Sequence, residues 1–158
     1  MLYIFIMKIF KIYIDTSVFG GVFDQEFSEY SLLLFNKFRK NEYLPVISDI
    51  TIAELENAPD RVKNLLLDFD DLELIEADNE MKKLAAFYLD SEIVSPKYSD
   101  DALHIAIATI CKVDVLVSWN FKHIVNLKKI HQFNSVNLRE GYNLLEIRTP
   151  REVISDER

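Results

Sequence analysis

Acid and amide side chains interrupt apolar segments at four well-separated places: Asp15, Glu54, the Asp100–Asp101 pair and Asn120. Asp15 ends the run Ile12-Tyr13-Ile14. Glu54 lies within Ile50-Thr51-Ile52-Ala53-Glu54-Leu55, Asp101 opens Ala102-Leu103-His104-Ile105-Ala106, and Asn120 follows Val115-Leu116-Val117-Ser118-Trp119. A carboxylate at the end of a buried element is costly unless it is paired, protonated or bound to a metal. Ligands that are all oxygen suit magnesium or manganese rather than zinc. The three His and single Cys show no zinc spacing. The chain therefore offers the parts of a divalent-metal site.

Each position also has a purely structural reading. Asp15-Thr16-Ser17 would serve as a turn or helix cap after a strand. Thr51-x-x-Glu54 fits a capping box, yet Glu54 shares a helix face with Ile50, Ala53 and Asn57, which turns it partly toward the core. One of Asp100 and Asp101 is expected simply to cap its helix, and spacing alone does not choose between them. His104 reads as a hydrogen-bonded core histidine, and Cys111 as a small core residue.

The elements that must position these groups follow from periodicity. Residues 8–14 read as a first strand, and Phe27 to Arg39 as a helix with Leu32, Leu33, Phe35 and Phe38 on its apolar stripe. Leu44 to Ser48 reads as a short strand that Pro45 confines to a strand start or an edge. Ser48 or Asp49 then caps the helix carrying Glu54, and Pro59-Asp60 ends that helix and starts another through Leu65–Leu67. Leu72 to Glu76 alternates as a strand. Asp78 to Leu89 is predicted helical, with Met81, Leu84, Ala85 and Tyr88 on one face. Ser95-Pro96 marks a turn. Ser99 or Asp100 caps a helix to about Lys112, Val113–Ser118 is a strand, a basic helical stretch follows, and Leu144–Ile147 is a last strand. Alternating strands and helices predict an α/β fold with a mostly parallel sheet. Sites in such folds lie beyond the carboxyl ends of the strands, where Asp15 and Asn120 both fall.

At 158 residues the expectation is one domain, 1–158, with a hydrophobic content of 49% that suits a globular chain. Residues 1–7 are apolar but too short for a membrane span, which needs about 20 residues, and Lys8 and Lys11 follow. Met7 is an alternative start, which would leave an upstream extension of the first strand. A cytoplasmic protein without a membrane segment is expected. The net charge of −8 is awkward for a nucleic-acid enzyme, although Lys122, His123, Lys128, Lys129 and His131 concentrate positive charge in one stretch.

Ile14-Asp15-Thr16-Ser17, Ala53-Glu54, Asp101-Ala102-Leu103-His104-Ile105-Ala106 and Val117-Ser118-Trp119-Asn120-Phe121-Lys122-His123-Ile124 together resemble the motifs of PIN-domain nucleases. More narrowly, they resemble the VapC-type toxins of type II toxin–antitoxin systems. The resemblance runs from about Lys8 to the last strand. It implies a PIN-like three-layer α/β/α fold and a metal-dependent endoribonuclease. Asp15, Glu54 and Asp101 would be the catalytic acids and, with Asn120, the ligands of Mg²⁺ or alternatively Mn²⁺. The fourth position of the family pattern is usually an Asp. Asn120 offers a neutral oxygen there, which leaves open whether one ion or two are used. Thr16, Ser17, Lys122, His123, Lys128 and Lys129 are the candidate RNA contacts. The resemblance also implies a cognate antitoxin and a homodimer. The rival is a non-catalytic RNA- or partner-binding module with a weakened metal site. Haloacid-dehalogenase chemistry would want an acid where Ser17 stands, and a receiver domain would want adjacent acids at the end of the first strand.

Overall fold

The computed structural model describes residues 8–155, so the upstream extension read at residues 1–7 lies outside the described residues. Five strands form one parallel sheet in the order β3-β2-β1-β4-β5. They are β1 (Phe10–Ile14), β2 (Tyr43–Ser48), β3 (Glu73–Ile75), β4 (Val115–Val117) and β5 (Ile147–Arg148). The helices are α1 (Thr16–Gly21), α2 (Ser28–Arg39), α3 (Asp49–Leu55), α4 (Asp60–Lys63), α5 (Asn79–Asp90), α6 (Ser99–Ile110), α7 (Leu127–Arg139) and α8 (Pro150–Ser155). Among the described residues no helix is long and apolar enough to cross a membrane.

Alternation along β1 divides the core into two layers. Ile12 and Ile14 face one cluster with Phe19, Leu34, Phe35 and Phe38, whereas Tyr13 faces the other with Leu84, Tyr88, Ile105 and Phe133. A strand buried on both faces is the expected condition in a parallel sheet covered by helices on each side. The first layer is rich in edge-to-face rings, with Phe19 and Phe35 centroids 5.3 Å apart at 81° and Phe38 and Phe69 5.6 Å apart at 75°. Such pairs add about 0.5–1.5 kcal/mol beyond the burial of their area.

The topology fixes where a site can form. The chain leaves β1 for β2 and β3 on one side, then returns to place β4 against the other side of β1. The carboxyl ends of β1 and β4 therefore flank a switch point, where helices depart in opposite directions and leave a crevice. Asp15 follows β1 there, and its backbone N–H still donates to the Val117 carbonyl at 3.0 Å.

Most predicted elements are present, with instructive differences. Met81, Leu84, Ala85 and Tyr88 are the buried face of α5, as their period requires. On α2 the buried residues are Ser31, Leu34, Phe35 and Phe38, while Leu32 and Leu33 are exposed. Three consecutive leucines leave the helical phase undetermined, and the tertiary contacts set it. Strand β2 is interior rather than an edge, but pairing with β3 begins only at Val46, so Pro45 precedes that ladder. The N-cap of α6 is Tyr98 rather than Ser99 or Asp100. The last strand falls at Ile147–Arg148, so only Ile147 of the predicted Leu144–Ile147 belongs to it. Helices α1 and α8, of six residues each, have no counterpart in the periodicity reading.

Gly21 closes α1 against the sheet. A Cβ there would lie 2.8 Å from both Ser31 Oγ and Trp119 Nε1, which are hydrogen-bonded to each other at 2.8 Å. Gly21→Ala is expected to cost about 1–3 kcal/mol by overpacking. Chemical denaturation measures it, and an unchanged unfolding midpoint would contradict this packing.

Candidate metal centre

Asp15 occupies the N-cap position of α1 without capping it. Its buried carboxylate turns instead toward β4, where Oδ2 accepts bonds from Ser17 Oγ at 2.6 Å and Ser118 Oγ at 2.8 Å. Both hydroxyls are themselves fixed, because the Trp119 N–H donates to Ser17 Oγ and the Asn120 N–H to Ser118 Oγ. Asp15 is thus held by a small hydrogen-bonded cage bridging the ends of β1 and β4.

Glu54 is brought to the same end of the sheet by α3. The capping box of that helix is Ser48 with Thr51, so Glu54 is released from the capping role that the sequence allowed. Its Oε1 accepts a bond from Thr16 Oγ1 at 3.1 Å and a short one from His104 Nε2. Burial pushes the Glu54 carboxyl up, but the His104 bond and charge and the Thr16 bond outweigh it and hold the carboxyl below its usual range. His104 is fully buried. Burial alone would favour its neutral form, whereas Tyr13, Glu54 and Asp15 together raise its pKa well above the ordinary value. Its Nδ1 lies 2.6 Å from Tyr13 Oη, which is 2.7 Å from Ser48 Oγ. A buried chain therefore runs Glu54–His104–Tyr13–Ser48 beneath the site.

Asp101 stands in the first turn of α6, half-buried, with Oδ2 3.4 Å from Asn120 Nδ2. Asp100 is exposed, so the structure separates the two acids that spacing left open. Burial, then the charge of Asp15, pushes the Asp101 carboxyl up to about 6. Glu54 and Asp100 add to this and His104 opposes it. Asn120 joins the group through its amide, with Oδ1 accepting the His123 N–H at 3.0 Å.

Of the candidate RNA contacts, Thr16 and Ser17 hold Glu54 and Asp15. Lys122 and Lys128 are exposed, and the His123 ring packs on Tyr98. Lys129 is committed elsewhere, its ammonium donating to the Ile93 carbonyl. Ser48 caps α3 as its sequence position suggests, whereas its bond to Tyr13 and the roles of Tyr13 and Ser118 have no local signature as strong. A serine directly after a buried strand, two positions before Asn120, is the signal that could have found Ser118.

The donor set is suited to a hard cation. No three His, Cys, Asp or Glu side chains among the described residues close on one point as a ready-made cage. Yet each carboxylate is anchored through one oxygen. Bonds converge on Oδ2 of Asp15, Oε1 of Glu54 and Oδ2 of Asp101, and the opposite oxygens take none of them. Oxygen donors presented in this way are the kind that Mg²⁺ or Mn²⁺ takes.

No protein-family model matches the chain, and no curated protein sequence does. Among solved structures, VapBC2 from Rickettsia felis, bound to a DNA fragment from its promoter, is similar. The alignment covers 88% of this chain and 98% of the matched chain, with a TM-score of 0.56 and 16% sequence identity. At that identity the likeness is one of fold. The five-stranded parallel sheet between helical layers is a PIN-like α/β/α fold, as the sequence motifs implied.

The burial of Asp101 beside other acids has a measurable consequence in the metal-free protein. Its carboxyl titrates near 4 when unfolded and at about 6 when folded. Its cost is therefore absent below about pH 4, grows as pH rises toward 6, and is complete above that. In EDTA, Asp101→Asn is expected to be more stable than the parent by about 1–2 kcal/mol near neutral pH, allowing for solvent screening. The gap should close by about pH 4. Urea denaturation across this range checks it, and a variant less stable at every pH would refute this cost.

Proposed function

We propose that this protein is a Mg²⁺- or Mn²⁺-dependent endoribonuclease that hydrolyses RNA phosphodiester bonds in the cytoplasm as the toxin of a toxin–antitoxin pair. The observation that carries the reading is the convergence of Asp15, Glu54 and Asp101 at the switch point, with Asp101 driven up to about 6 by burial and its acidic neighbours. The fold likeness to a VapBC complex supports the toxin–antitoxin context.

Asp15, Glu54 and Asp101 would hold the ion, with Asn120 assisting. When bound, such an ion orients and acidifies the attacking water and neutralises charge on the scissile phosphate. The remaining work belongs to the chain. Ser17 and Ser118 keep Asp15 turned into the crevice, and Thr16 and His104 fix Glu54. Lys122 and Lys128 would supply exposed positive charge for the RNA backbone.

A cognate antitoxin would suit the groove beside Asn120. This groove of about 480 Å³ is lined by Phe27, Tyr30, Trp119 and Phe121, with Glu26, Glu29 and Glu152 outnumbering Arg151 among its charged residues. An aromatic surface with an excess of acids fits an apolar, basic peptide segment. A homodimer is part of the same proposal.

A second reading, a binding module with a weakened metal site, is favoured by Asn120. Its Oδ1 already accepts the His123 N–H, and its place in the motif lacks the usual charge. Cleavage separates the two. Purified protein is expected to cut a mixed RNA pool with Mg²⁺ or Mn²⁺ and to stop in EDTA. Asp15→Asn should abolish cutting while circular dichroism stays native. Turnover unchanged in that variant, or in EDTA, would sink the nuclease assignment.

A further inference from the structure

Two aromatic clusters flank the carboxylates, and their charge differs. The groove containing Trp119 carries Glu26, Glu29 and Glu152 against a single cation, Arg151. On the other flank the Tyr98 and His123 rings lie 3.9 Å apart at 32°, and the Lys97 ammonium sits 5.6 Å from the Tyr98 ring centre. Tyr98, which also packs against the core, and His123 are both partly exposed, and Lys97 and Lys122 are exposed. Neither lysine forms an ion pair among the described residues, in a chain of net charge −8.

This ring pair is tied to the site from both sides. Tyr98 caps α6 three residues before Asp101. The His123 N–H bonds Asn120 Oδ1, and Asn120 Nδ2 reaches Asp101 Oδ2. We propose that the Tyr98–His123 pair, flanked by Lys97 and Lys122, is a base-stacking platform that seats one unpaired nucleotide of single-stranded RNA beside the carboxylate cluster. The inference rests on the ribonuclease reading for the nature of its ligand and deepens it by naming the strand state.

The physical case is one of access and charge. A base in a duplex is stacked on both faces and cannot lie on a protein ring, whereas an unpaired base in a loop or single strand can. Rings accept any base because every base has a π-face, and lysines beside them neutralise the adjoining phosphates. The Trp119 groove has a similar aromatic surface, but its three glutamates outweigh Arg151 and disfavour those phosphates. Charge thus assigns the strand to the Tyr98 flank.

The test separates binding from cutting. A short fluorescein-labelled unstructured RNA, alone and annealed to its complement, is titrated by anisotropy against full-length Asp15→Asn protein in EDTA. Adding Tyr98→Ala or His123→Ala is expected to weaken single-strand binding about tenfold or more, as loss of a stacked base does. Duplex binding should barely change, and Tyr98→Phe should retain the parent affinity. Lys97→Ala and Lys122→Ala should each flatten the log K against log salt slope by about 0.7. Tyr98→Leu replaces Tyr98→Ala if the latter does not fold. Single-strand affinity that ignores both ring substitutions, equal losses on duplex, or no single-strand binding at all would overturn the platform. Tyr98-dependent binding by a parent protein that never cuts RNA would support the platform and defeat the nuclease reading. Cutting with a KM unaltered in Tyr98→Ala would defeat the platform alone.

Discussion

Three carboxylates are gathered where β1 and β4 end, and Asp101 is kept there against its own burial and the charges of Asp15 and Glu54. Asp15 is held by two serine hydroxyls, Glu54 by a histidine and a threonine, and Asp101 by the amide of Asn120. Placing charges this way in a half-buried crevice costs stability unless each is hydrogen-bonded or compensated. Two compensations are built in. His104 stands against Glu54 with its charged form favoured, and Asp101 takes up a proton far more readily than an ordinary Asp.

Much of the architecture serves this arrangement. Parallel pairing of β1 with both β2 and β4 opens the crevice at one end of the sheet. The turn into α1 carries Thr16 and Ser17 to opposite sides of it, one toward Glu54 and one toward Asp15. The capping box of α3 uses Ser48 and Thr51, which leaves Glu54, the penultimate residue of the helix, to face the site. Beneath, Tyr13 joins His104 to Ser48, so that three elements share one buried polar chain. A chain like this is favourable only when every member is satisfied, which fixes the relative positions of β1, β2 and α6. Trp119 extends the same logic outward, its indole N–H bonded to Ser31 and its ring stacked on Phe27 at 4.5 Å.

The residues differ in how openly they announced these roles. Asp15 and Asn120 were legible because strands rich in Val, Leu and Ile end beside them, and switch-point geometry needs only that. The α5 face was legible because four apolar residues, Met81, Leu84, Ala85 and Tyr88, keep one helical phase over about two turns. Leu32, Leu33 and Leu34 could not be resolved, since a run of leucines fits several phases. Helix α1 was hidden by its six-residue length and two glycines, which leave no periodic signal. Pro45 pointed to an edge because the rule concerns the ladder, and the ladder on its second side starts one residue later. Choosing Asp101 over Asp100 required the three-dimensional placement of Asn120. His104 read correctly as a satisfied core histidine, but its acceptor, a site carboxylate fifty residues earlier in the chain, is a tertiary fact that no local pattern encodes.

If this carboxylate cluster seats a hard divalent cation, calorimetric titration of the metal-free full-length protein with MnCl₂ near neutral pH should reveal it, alongside Asp15→Asn and Asp101→Asn. Saturable binding by the parent, proton release on binding, and a large loss of affinity in either variant are expected. Manganese binding that is absent, or equally strong when both Asp15 and Asp101 are neutralised, would rule out the cluster as the cation's seat.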